Sequence, residues 1–259
     1  MRHLVNVWVV GGGLLLVIGA LLEIGRRIGV HRHRVNPEGA ASGLGVIDGA
    51  VYGLLGLLIA FTFSGAAGRF DSRRAIIGQE ANAIGTAYLR IDLLPAAAQP
   101  QLRQDFRDYV DLRIAIFPKI RRDIESAKAD NARADELQRK IWREAVAACQ
   151  QVPSPAVTTL VLSSLNDMID MTTTRLVSMQ THPPTVIFVG LALLMAATSL
   201  LAGYGMGTSN TRSWLHIILY TVIMTTAVYV ILDLEYPRVG FIRLDSADQV
   251  MIDLRNSMN

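Results

Sequence analysis

Four long apolar runs, two near each end of the chain, bracket a charged middle segment of more than a hundred residues. They cover residues 4–24, 46–63, 185–204 and 214–232. At 1.5 Å per residue in a helix, about 18–21 residues match a hydrocarbon core of roughly 30 Å. Glu23, Asp48 and Asp233 sit at run ends and leave the centres uncharged. A charge at mid-bilayer would cost at least ~2.5 kcal/mol. The pattern predicts an all-α membrane protein with four transmembrane helices flanking an extramembrane helical domain.

Composition agrees with a chain whose apolar residues come in blocks: 51% are hydrophobic and 18% charged. The net charge of +3 fits basic juxtamembrane segments. No basic patch interleaved with aromatics is present, so nucleic acid is not an expected partner. Cys149 stands alone, which excludes an intramolecular disulfide and a cysteine-based metal cluster. The first run is too long for an ordinary signal peptide. It ends in Leu-Glu-Ile-Gly-Arg-Arg rather than a small-residue cleavage site, so a retained helix is expected.

The layout follows as residues 1–64 (two membrane helices and a short basic loop), 65–183 (amphipathic helical domain), 184–233 (two more membrane helices) and 234–259 (tail with a terminal helix). Arg26, Arg27, His31, Arg32, His33 and Arg34 form the expected loop, closed by Asn36-Pro37. In run 2, Gly49, Gly53, Gly56, Ala60 and Ser64 recur every three or four residues. They make a narrow strip that would let another helix approach closely. Leu54, Leu58 and Phe61 lie on the other side of that helix; with Phe63 they are the pore or gate candidates, Phe61 and Phe63 being otherwise packing residues.

No proline interrupts residues 65–91, so the second helix is expected to leave the membrane unbroken, with Phe70, Ile77, Ile84 and Ile91 as its apolar stripe. A further helix should run from Leu102 to Pro118, which kinks or breaks it. A turn is placed within 125–135 and a third helix over 135–150. A fourth starts at Pro153-Ser-Pro155 and stops before His182-Pro183-Pro184. Gly203, Gly205 and Gly207 read as a turn leading through Asn210 to run 4. Glu235-Tyr-Pro237-Arg238 marks the interface beyond it, residues 240–244 are briefly extended, and Ser246 with Gln249 has capping-box spacing.

Arg26, Arg27, Arg32, Arg34 and Arg212 in the short loops are opposed by Arg2, Arg69, Arg73, Arg74, Arg238 and Arg243, so the positive-inside tally leaves orientation open. No catalytic signature is visible. Gly11–Gly13 lie inside an apolar run, there is no His-Glu-x-x-His, and His31 and His33 suit a solvated basic segment. Neither an enzyme, a cofactor nor a metal is expected.

The polar candidates are Arg69, Asp71, Arg73, Arg74, Glu80, Asn82 and Arg90, joined by Asn166, Asp170 and Arg175 on the fourth helix. One reading is a salt-bridged face buried between helices or subunits. The other is a charged vestibule outside a pore, where arginines concentrate anions.

The stretch Leu54-Leu-Gly-Leu-Leu-Ile-Ala-Phe-Thr-Phe-Ser64-Gly-Ala-Ala-Gly-Arg69-Phe-Asp71-Ser-Arg73-Arg74, continuing through Glu80-Ala-Asn82 and Gly85-Thr86 to Leu94-Pro95, resembles the bestrophin-like family of bacterial membrane proteins. Leu165-Asn166 to Asp170, Arg175, and the segment from Ile231 to Arg243 agree with it. The resemblance implies a distant relation to bestrophins, pentameric anion channels whose second membrane helix lines a pore with a hydrophobic neck. On that relation the chain is a homo-oligomer in the bacterial inner membrane, with run 2 toward the axis, Phe61 at the neck and inorganic anions as permeant partners. The alternative is a non-conducting scaffold or sensor whose helical domain binds another protein.

Overall fold

The computed structural model describes residues 7–35, 44–207, 212–237 and 240–258. Asn36-Pro37, Asn210 and Arg238 lie outside the described residues. The described chain is α-helical, with one 3-10 turn and no strand: α1 (Val7–Val35), α2 (Leu44–Leu89), the 3-10 turn (Arg90–Leu93), α3 (Gln99–Arg122), α4 (Ile124–Cys149), α5 (Pro155–Gln180), α6 (Thr185–Met206), α7 (Trp214–Glu235) and α8 (Asp245–Ser257). The four apolar runs fall in α1, α2, α6 and α7, each long and apolar enough to cross a membrane. In hydrocarbon the backbone must satisfy its own hydrogen bonds, which makes the helix the default for such runs.

The chain divides into two compact units, residues 1–70 with 182–242, and residues 71–181 with 243–259. The first unit holds α1, the start of α2, α6 and α7. Ile18, Leu22, Leu55, Ala66, Leu191, Met195, Val228 and Ile231 form its core. The tightest packing joins α1 to α6. Added Cβ atoms at Gly25 and Gly29 would collide with the backbone carbonyls of Leu200 and Tyr204. One at Gly203 would collide with that of Leu22, and one at Gly207 with the Gly29–Val30 backbone. Both helices thus carry glycine at spacing four where their backbones touch.

Gly203 therefore serves close approach inside α6, which continues to Met206, while Gly207 caps that helix in the expected turn and also lies against the Gly29–Val30 backbone. The basic segment 26–34 is likewise helical, as the last turns of α1 rather than a loop. Glu23 explains part of this: it accepts from Arg26 and Arg27 one turn on, and from Arg212 at 2.9 Å. Beyond α7, Asp233 Oδ2 accepts from the backbone N–H groups of Phe241 and Ile242, both at 3.0 Å. That carboxylate folds residues 240–242 into a bend, where an extended segment was expected.

The second unit holds the end of α2, α3, α4, α5 and α8. Ile77, Ile84 and Ile91 are all buried, as the seven-residue stripe predicts, and so are Phe106, Tyr109, Val110, Ile141 and Met168. Three boundaries differ from expectation. Pro118 sits inside α3 without ending it, and the helix reaches Arg122. The turn falls at Asp123, whose side chain caps α4 by accepting from the Ser126 N–H at 3.0 Å. Residues 127–134 then continue as helix because their alanines, lysine and arginine favour it. Ser246 makes no capping box; α8 begins at Asp245 with no side-chain cap, and Asp245 and Asp248 face the positive end of its dipole.

Replacing Gly203 with valine should lower stability by about 3 kcal/mol, because the obstruction is backbone and cannot swing aside. Gly13→Val, with open space around its Cβ, should shift it by less than about 1 kcal/mol. Thermal unfolding of detergent-solubilised protein, followed by size exclusion, reads both.

Candidate functional site

In the first unit, α2 buries Leu55, Thr62 and Ala66 against its neighbours and leaves its other side open. Gly49, Gly53, Gly56, Ala60 and Ser64 are all exposed within the single chain. A Cβ on any of the three glycines would meet nothing within 4 Å. The strip expected to receive a helix thus has no partner among the described residues; the glycine seam seen there is α1–α6 instead. Phe61 is 68% exposed and Phe63 45%, and by helical position they stand to either side of the strip. Leu54 is exposed, whereas Leu58 is half-buried against the core.

At the end of that helical stretch Arg69 is half-buried and paired. Its guanidinium donates to Glu235 at 2.7 and 2.8 Å. Glu235 is fully buried and also receives His182 Nδ1 at 2.7 Å, while the His182 ring stacks on Tyr236 with centroids 4.8 Å apart. A buried carboxylate needs this much compensation, since one left alone would be too costly to ionise.

In the second unit the polar centre is Glu80, with no exposed surface at all. Oε1 accepts from Arg113 Nε at 2.8 Å and pairs with Nη2 at 2.6 Å. Oε2 accepts from Arg175 Nη1, and Arg175 Nη2 donates to Asp248 at 3.1 Å. Both guanidiniums lie over the Phe117 ring, with Cζ 3.6 Å from its centroid for Arg175 and 5.5 Å for Arg113. Beside them the Tyr109 hydroxyl bonds Thr172 at 2.9 Å, and burial pushes its phenol pKa up, so it stays protonated.

The expected polar set therefore separates. Glu80 and Arg175 meet, one from α2 and one from α5. Arg73 is buried and donates to the carbonyls of Ser178 (3.2 Å) and Thr181 (3.0 Å), anchoring the end of α5. Asp71 and Arg74 pair with each other on an exposed face at 3.9 Å, Asn82 is exposed, and Asn166 donates to Asp170 at 3.0 Å one turn away. Arg90 donates to the Leu160 carbonyl at 2.6 Å. Arg113, Asp248, Glu235 and His182 were not foreseen as partners. Arg113 left one signal: it stands seven residues after Phe106 and four before Phe117, a cation on an apolar stripe.

A bundle with four membrane-length apolar helices and ion pairs buried in both its units defines an integral membrane protein. The chain belongs to the bestrophin-like domain family, whose model matches residues 15–248. Its fold is similar to the crystal structure of a bacterial bestrophin homologue from Klebsiella pneumoniae carrying a mutation. That match has 13% identity and a TM-score of 0.65, and covers 94% of this chain and 98% of the other. No match was found among curated proteins.

Glu80→Gln should strip the shared anion from two buried arginines and cost about 3–5 kcal/mol. Asp71→Asn, which breaks only an exposed pair, should cost less than about 1 kcal/mol. Thermal melts of the two purified variants provide the comparison.

Proposed function

We propose that the chain assembles into a ring, five-fold if the bestrophin relation extends to stoichiometry, and conducts small inorganic ions along an axis lined by α2. The observation that carries this reading is the open side of α2: five small residues in register, flanked by two exposed phenylalanines and matched by nothing among the described residues. One chain's four membrane helices enclose little polar space, so a water-filled path needs several copies. In the ring, Phe61 forms the hydrophobic neck, with Leu54 about two turns away along the pore, and the small residues admit the neighbouring helix.

The electrostatics revise the vestibule. Arg69 and Arg73 spend their donors on Glu235 and on α5 carbonyls, so of the three arginines expected to gather anions only Arg74 remains on an exposed face. Asp71 stands beside it and offsets its charge. The proposed anion preference is therefore weak.

Purified protein should have the mass of a pentamer in detergent. In liposomes it should pass chloride above background, with Phe61→Ala raising the flux several-fold and sodium competing appreciably. A monomer or dimer that passes neither chloride, nitrate, sodium nor potassium at any tested pH would overturn the channel and leave the partner-binding scaffold.

A further inference from the structure

The second unit contains a cavity of about 650 Å³ between α3, α4 and α5. That volume lies inside the roughly 300–1,000 Å³ span of small-molecule sites. Its walls are mainly apolar, from Ile116, Phe117, Ile124, Leu176 and Met179, and Arg113 and Arg175 supply its cationic part. Charged lining groups are three cations, Arg113, Arg175 and Lys128, against one anion, Asp135.

Arg113 gives the cavity its chemistry. Only 3% of its surface is exposed, Nε and Nη2 are both committed to Glu80, and the residue lines the cavity. A guanidinium held this rigidly presents its remaining donors to a ligand with little loss of side-chain freedom. The acceptor that suits it is an anionic oxygen, for which a guanidinium is the best-shaped protein partner.

An apolar chamber with a cationic donor at one part fits a molecule with the same polarity. We infer that this cavity binds a single-chain anionic amphiphile, its acyl chain against Phe117, Leu176 and Met179 and its carboxylate or phosphate on Arg113. A cationic amphiphile would meet two guanidiniums, and a neutral one would forgo the charge-assisted bond to Arg113. The inference is independent of ion conduction.

The test is photo-crosslinking of the full chain in phosphatidylcholine nanodiscs with a palmitate analogue carrying a diazirine near its terminal methyl, the adducts mapped by mass spectrometry. Adducts are expected on peptides holding Phe117, Leu176 or Met179. Excess oleate or lysophosphatidylglycerol should suppress them, and dodecylamine and dodecanol should not. Suppression by oleate alone supports a carboxylate ligand, and by lysophosphatidylglycerol alone a phosphate headgroup. Leu176→Trp, and independently Thr173→Trp, should reduce these adducts at least five-fold, while labelling of residues 185–204 by bilayer-dissolved probe persists as the folding control. Absence of cavity adducts, equal competition by dodecylamine, or unchanged labelling in both tryptophan variants would overturn the inference.

Discussion

A carboxylate taken entirely out of water must be met by cations and donors on every side, and Glu80 organises its half of the molecule by that demand. Through it α2 meets Arg113 of α3 and Arg175 of α5, and through Arg175 it reaches Asp248 of α8. Phe117 closes the arrangement by presenting its ring to both guanidiniums. Such a cluster adds little net stability over an apolar core of equal volume, because desolvating its charges offsets most of their attraction. What it supplies here is register: α2, α3 and α5 can place three fixed side chains on one another in few ways. Glu235 repeats the logic in the other unit, where Arg69 and His182 converge on one buried carboxylate.

Much of this architecture was legible from period and length. The apolar runs located four helices, and the spacing of Ile77, Ile84 and Ile91 located the buried side of α2 beyond residue 70. Helix ends were harder where signals compete. Pro118 suggested a break, but a helix can tolerate one missing N–H where flanking residues keep it packed, and the stop came from Asp123, a capping residue in extended conformation. Ser246 and Gln249 had the right spacing for a capping box and do not form one, since spacing does not fix the backbone angles that a cap requires.

The polar residues were less legible because a sequence shows what lies on a helix and not what lies opposite. Arg69, Arg73 and Glu80 share α2 at suggestive offsets, yet their partners are an α7 carboxylate, α5 carbonyls and arginines on α3 and α5. All of those contacts span distances in sequence that no local rule reaches. The same holds for small residues. Two glycine sets occur at helical spacing; the one at 49–56 faces open space within the chain, and the one at 25, 29, 203 and 207 closes a backbone seam.

That seam carries a cost in time. Gly29 and Gly207 lie at opposite ends of the chain, so the first helix must reside in the bilayer while the ribosome makes everything between them. At the usual 5–20 residues per second the delay is on the order of ten seconds. Until then Gly25 and Gly29 have no α6 backbone to meet, and the seam closes only when Gly203 and Gly207 arrive.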